Sequence, residues 1–207
     1  MNRRLLVLTA LSLTMTTTAL HAIEEPAYQV LAQDLAFELR QYEPTLLAQV
    51  EVEGDAAEAR NAGFRLLAGY IFGGNQGQRK IAMTAPVTQA PAPAGEKIAM
   101  TAPVTQAAAG PGRWRITFTM PRAYTLDTLP QPNDARVQFV TVPGEKRAVV
   151  RFAGLSTGSN LGRHQAQLQA WVEQRGLKPQ GDYVTAFYND PFTLPWNRRN
   201  EWWVVVL

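Results

Sequence analysis

The chain of 207 residues is 46% hydrophobic and 18% charged, with 20 basic and 17 acidic side chains and no cysteine. That balance suits a globular domain with a packed core. The missing cysteine excludes a lipid attached through a thiol, a disulfide framework, thiolate haem ligation, iron–sulfur clusters and Cys-based zinc sites.

Residues 1–22 read as a secretory signal peptide, with Arg3 and Arg4 ahead of the apolar run Leu5 to Leu13 and a Thr-rich stretch leading to Ala22. Cleavage is expected after Ala22, leaving one domain over residues 23–207 in an exported protein, periplasmic or secreted. Its apolar run is shorter than the ~20 residues of a spanning helix, so no stable membrane span is expected after signal removal. Losing two arginines leaves 18 basic against 17 acidic residues, without the dense basic stripe expected of a nucleic-acid binder.

Period-two alternation predicts about eight half-buried strands, around Tyr28–Ala32, Leu35–Leu39, Leu47–Val52, Trp114–Met120, Val137–Phe139, Val149–Phe152, Tyr183–Phe187 and Trp202–Val206. Helical spacing interrupts it twice. Asp55 to Phe72 opens on an Asp cap and gathers Ala59, Phe64, Leu67 and Ile71 near one face. Asn160 to Arg175 places Leu161, Leu168, Trp171 and Val172 together and stops at Gly176. The repeated order of strands, helix and strands suggests two pseudo-symmetric halves.

The decapeptide KIAMTAPVTQ occurs at residues 80–89 and again, identically, at residues 97–106. Each copy contains a proline that bars a central strand position. The pair is expected to form two arms of a hairpin at a sheet edge, or one native strand and one duplicated loop. Gly73 to Gly77 lacks the ending of a phosphate loop and reads as a turn.

Groups suited to catalysis are scarce. After signal removal the one histidine is His164, too few for a zinc helix or a two-histidine metal site, so no catalytic residue is assigned. His164 reads either as a buried or rim structural residue or as an axial iron ligand. The stretch from Tyr188 to Glu201 combines two prolines, Phe192, Trp196 and two arginines. Such a stiffened loop can cover a flat apolar ligand, or its aromatics can plug the interior while Arg198 or Arg199 pairs with Glu201 at the surface.

The MTAPV sequences at Met83–Val87 and Met100–Val104, the turn Gly73–Asn75 and the stretch NDPFTLPWNRRNEWW at Asn189–Trp203 resemble the SOUL haem-binding family. The resemblance implies an α+β fold: a distorted antiparallel β-barrel of two pseudo-symmetric halves flanked by two α-helices. It also implies a groove that binds haem or protoporphyrin non-covalently, lined by Asn61, Phe64, Arg65, Ala68 and Met83 and by Asp190, Pro191 and Phe192. Arg60, Arg65, Arg79 and Lys80 could then form a cationic rim. A carrier, buffer or scavenger of tetrapyrrole is the leading function, with no turnover. A module for another hydrophobic effector or a protein partner, and a tetrapyrrole-metal-processing enzyme, are the competing readings.

Overall fold

The computed structural model describes residues 24–77, 95–189 and 192–207. Met83, Asp190 and Pro191 of the expected site, the first decapeptide copy and the signal segment lie outside them. Eleven strands and two helices follow one another as β1 (Tyr28–Asp34), β2 (Phe37–Tyr42), β3 (Thr45–Glu53), α1 (Ala56–Ile71), β4 (Asn75–Gln76), β5 (Val104–Gly110), β6 (Arg113–Thr119), β7 (Gln131–Pro132), β8 (Gln138–Val142), β9 (Lys146–Phe152), α2 (Gly158–Gln174), β10 (Pro179–Phe187) and β11 (Asn200–Val206).

Nine of the strands form one antiparallel sheet in the order β1-β2-β9-β11-β10-β5-β6-β3-β8. Setting β1 aside, exchange of β2 with β8, β3 with β9, β5 with β10 and β6 with β11 maps this order onto its reverse. The same exchange swaps α1 and α2, so the two expected halves meet at the β5–β10 seam. The sheet is open: β1 and β8 are its edges and do not pair with each other, so the expected closed barrel is not formed by the ladder.

Both helices cover the same face. Trp202 pairs with Thr185, Thr185 with Gln106 and Gln106 with Ile116, and directly paired residues point to one side of a sheet. Trp202 packs in the core under α2 and Ile116 in the core under α1. The α1 core is the larger, holding Leu67, Tyr70, Ile71, Ile116, Phe118 and Met120. Gly63 lets α1 approach the sheet, because a Cβ there would stand 2.4 Å from the Ile116 side chain.

The helix ends follow the sequence signals. Asp55 accepts from the N–H groups of Ala57 and Glu58 at 2.8 and 2.9 Å, satisfying donors that the first turn leaves orphaned. Thr157 caps α2 through the Asn160 N–H. Gly176, at φ 62°, closes α2 with its N–H on the Glu173 carbonyl, a left-handed position that glycine adopts without steric penalty.

Two expectations change, the edge-hairpin alternative for the decapeptide and the strand start at Leu35. The second copy does not lie at an edge: its last residues open β5, which is paired on both sides, with β6 and β10. Proline does not prevent this, because Pro103 stands just before the first ladder residue, Val104, where no N–H is required. Leu35, expected to start a strand, instead occupies the turn between β1 and β2 at φ 53°.

Candidate ligand-binding groove

The row Asn200–Phe187–Val104–Phe118 crosses the β5–β10 seam on the helix side. One flank of α1 overlies it. The Phe64 ring packs against Phe118 with centroids 5.4 Å apart, and the Arg60 guanidinium sits 4.9 Å from the Phe187 ring centre. Burial holds the Arg60 pKa below its ordinary value. Phe64 and Phe187 are half-buried, leaving part of each ring open.

β10 leads into the loop of residues 188–199, whose two ends are fixed by different means from its middle. Tyr188 donates its N–H to the Arg199 carbonyl at 3.2 Å and its hydroxyl to Glu201 at 2.8 Å, while the Arg199 guanidinium lies 3.7 Å over the Tyr188 ring. Further along, Gly154 donates to the Pro195 carbonyl and Arg198 Nε to the Thr193 carbonyl. Between these anchors Phe192 is 93% exposed and Trp196 71% exposed, with Leu194 half in water. Neither aromatic plugs the interior. An apolar tip held out on a braced stem instead presents surface that folding has left uncovered.

The expected site residues therefore separate. Phe64 lies on the groove flank. Ala68, one turn on, is buried, and Asn61 is exposed near the start of the same flank. Arg65 is about 100° further round the helix, beside a cavity lined by Glu51, Val52, Glu53, Leu66 and Arg136 on the β3 side. Phe192 stands on the loop beyond β10. Phe187 was not singled out from the sequence as a groove residue, although its position directly before the Pro-rich loop was the available signal.

His164 does not join this group. Its ring stacks on Phe152 at 4.1 Å and 15°, over β9, with β11 between it and Phe187. It borders a separate cavity of about 460 Å³ lined by Phe37, Val150, Arg151, Gln167 and Trp171. Its Nδ1 is buried without a hydrogen-bond partner, and burial lowers its pKa from the ordinary imidazole value, partly offset by a hydrogen bond with Gln167. Among the described residues no group of three or more His, Asp or Glu side chains is placed to hold a metal ion.

The opposite face of the sheet carries a buried ionic network. Glu201, fully buried, accepts from Arg40 at 2.9 and 3.1 Å, from Arg199 at 3.0 Å and from Tyr188. Arg40 also bonds Tyr42 and Glu38, and Arg199 forks onto Glu25. Burial pushes the Glu201 carboxyl up, but the two guanidiniums and the tyrosine outweigh it and hold the carboxyl below its usual range. Burial and the adjacent carboxylate push the Tyr188 phenol well up. Arg199 does pair with Glu201 as expected, but inside the protein rather than at its surface.

Residues 23–95 and 88–205 match the SOUL heme-binding protein family. The chain belongs to that family. It is 29% identical over 194 residues to heme-binding protein 2 of Homo sapiens, covering 90% of this chain and 88% of the relative. Heme-binding protein 1 of Bos taurus is 25% identical over 189 residues, with 89% and 92% covered. Among solved structures, the EcmrR C-terminal domain superposes with a TM-score of 0.60 at 11% identity, covering 87% of this chain and 98% of that one. A hydrolase from Listeria innocua gives 0.55 at 12% identity, covering 86% and 94%. At such identities these last two show shared fold alone.

Proposed function

We propose that this SOUL family member binds haem or protoporphyrin non-covalently in the groove between the Arg60–Phe64 flank of α1 and the tip of the 188–199 loop. The observation that carries the reading is Phe192, 93% exposed on a loop anchored at both ends, beyond the half-open rings of Phe187 and Phe64. A flat apolar disc laid on such surfaces is held by removal of apolar area from water. The chemistry of the groove fits the ligand: aromatic faces for the macrocycle and one cation, Arg60, for a propionate. Family membership and the two heme-binding relatives support the same reading.

Binding is proposed to be carriage or buffering without turnover, outside the cytoplasm. The leader pattern of residues 1–22 supports export, and the family match begins one residue after Ala22. Among the described residues no helix is long and apolar enough to cross a membrane.

The test is a titration of the mature chain from Ile23 with haemin and with metal-free protoporphyrin, read by Soret absorbance and tryptophan quenching. Saturable binding of both at similar affinity is expected, because no iron ligand is invoked. Saturation by neither would sink the proposal and favour a different hydrophobic effector.

A further inference from the structure

Residues 97–106 fill a slot whose walls come from distant parts of the chain. Ile98 buries its side chain in the α1 core and donates its N–H to the Ile71 carbonyl at 2.8 Å. The Thr101 hydroxyl donates to the Thr119 carbonyl, and the Ala102 N–H to the Glu24 carbonyl at 2.9 Å. Val104, Thr105 and Gln106 pair with β6 and β10, and Gln106 Nε2 reaches the Ala56 carbonyl at 2.6 Å. Every one of these residues has an identical counterpart seventeen positions earlier: Ile81, Thr84, Ala85, Val87, Thr88 and Gln89. The two pieces of the family match each contain one copy, residues 23–95 the first and residues 88–205 the second.

We propose that residues 80–89 and 97–106 are alternative occupants of this one slot, so that exchange within a single chain moves seventeen surplus residues from one end of β5 to the other. The connections allow both arrangements. Asn75 holds the Glu96 backbone through its N–H at 2.9 Å and its carbonyl at 2.8 Å, which puts the mouth of the slot beside β4. With the first copy seated, Arg79 stands where Glu96 does, and Gln76 to Gln78 form a connection of ordinary turn length. The surplus then lengthens the hairpin before β6, where closure entropy grows only logarithmically with length.

The arrangements are unequal in the ladder. After Gln106 the strand continues through Ala107, Ala108 and Gly110 opposite Arg115, Trp114 and Arg113. After Gln89 the chain runs Ala90-Pro91-Ala92-Pro93, and prolines supply no N–H to a central strand. The second copy is therefore the main occupant and the first the minor one. Exchange carries the surplus loop roughly 20 Å, the length of a seven-residue strand.

A cross-strand cysteine pair reads the occupant directly, because the natural chain has no cysteine. Thr105 and Thr117 face each other with hydroxyls 2.5 Å apart, so Thr105→Cys with Thr117→Cys reports the second copy and Thr88→Cys with Thr117→Cys the first. Under mild oxidation the first pair is expected to close almost fully within one chain and the second in a minor fraction. Adding Ile98→Asp should raise that minor fraction several-fold. Thermal unfolding gives an independent readout. Deleting residues 80–96 or 90–106 yields one and the same single-copy sequence, in which Ile98→Asp should abolish folding while the full chain tolerates it. Failure of the Thr88–Thr117 crosslink with or without Ile98→Asp, crosslinking only between chains, or equal unfolding of the two Ile98→Asp proteins would overturn the exchange.

Discussion

The stem and the tip of the 188–199 loop are only a few residues apart and obey opposite rules. At the stem, Tyr188 and Arg199 are tied to the fully buried Glu201, and every charge there has a partner. At the tip, Phe192, Leu194 and Trp196 stand in water. The contrast separates two tasks: polar atoms inside the protein hold the loop's direction, and exposed apolar atoms outside it can cover something else. Substitutions at the two ends should accordingly affect different measurements.

The largest expected effect is at the stem. Glu201→Gln removes the carboxylate that Arg40 and Arg199 share, leaving guanidiniums without their countercharge in a buried setting. Breaking such a pair costs about 3–5 kcal/mol, to be read as a fall in the midpoint of urea unfolding at unchanged slope. The acid limb gives the sign. The Glu201 carboxyl is held below its usual range in the fold, so its stabilisation is fully present above the unfolded value of about 4.3. It is lost as pH falls through the folded value. Glu201→Gln should flatten that part of the acid-unfolding curve, and a variant as stable as the parent would dismiss the network as the anchor.

At the tip the expectation reverses. Phe192→Ser should leave stability within about 0.5 kcal/mol, as for a side chain that is almost wholly exposed. It should weaken binding of haemin and protoporphyrin alike by roughly 10- to 100-fold, the equivalent of about 1.5–3 kcal/mol for burying a phenylalanine side chain. Unchanged affinity would remove the tip from the groove.

Arg60→Ala sharpens the same contrast on a smaller scale. Loss of a half-buried cation over Phe187 and of its propionate partner should weaken haemin binding several-fold, on the order of 1 kcal/mol. Porphyrin dimethyl ester, which lacks the carboxylates, should bind both proteins equally. A difference that persists with the ester would make Arg60 a packing residue only.

How far the sequence foretold this arrangement depends on the range of the signal. Eight of the strand cores and both helices are written locally, in alternation, in the Asp55 cap and in Gly176. The two-half plan was legible as a repeated order of elements. β5 was not, because Ala107 to Ala109 beside Pro103 and Gly110 carry the composition of a loop, and only pairing on both sides makes them a strand. The ionic network was hidden for a different reason. Glu38, Arg40 and Glu201 alternate with apolar residues like any solvent-facing row, and Arg40 and Glu201 are 161 positions apart. Openness of the sheet depends on accumulated twist, which no local pattern encodes. In the groove, Phe64 and Phe192 were named from family resemblance, whereas Phe187 depended on knowing which strand adjoins β5.

His164 tests whether the groove stands apart from the second helix, and its effect should be the smallest. The ring lies flat on Phe152, and burial keeps its pKa below the ordinary imidazole value. The fold therefore favours the neutral form, and its contribution is fully present above the unfolded pKa of about 6.5. That contribution shrinks as pH falls below this value, because the unfolded chain takes up the proton first. The Arg163 charge on the same turn also opposes protonation. His164→Gln should thus remove a shallow loss of stability between neutral and mildly acidic pH. The Soret band of the haemin complex and the haemin affinity should stay as they were, because the imidazole lies over β9 and not over the Phe187 row. A shifted Soret band in His164→Gln would instead make the imidazole an iron ligand and extend the site across β11.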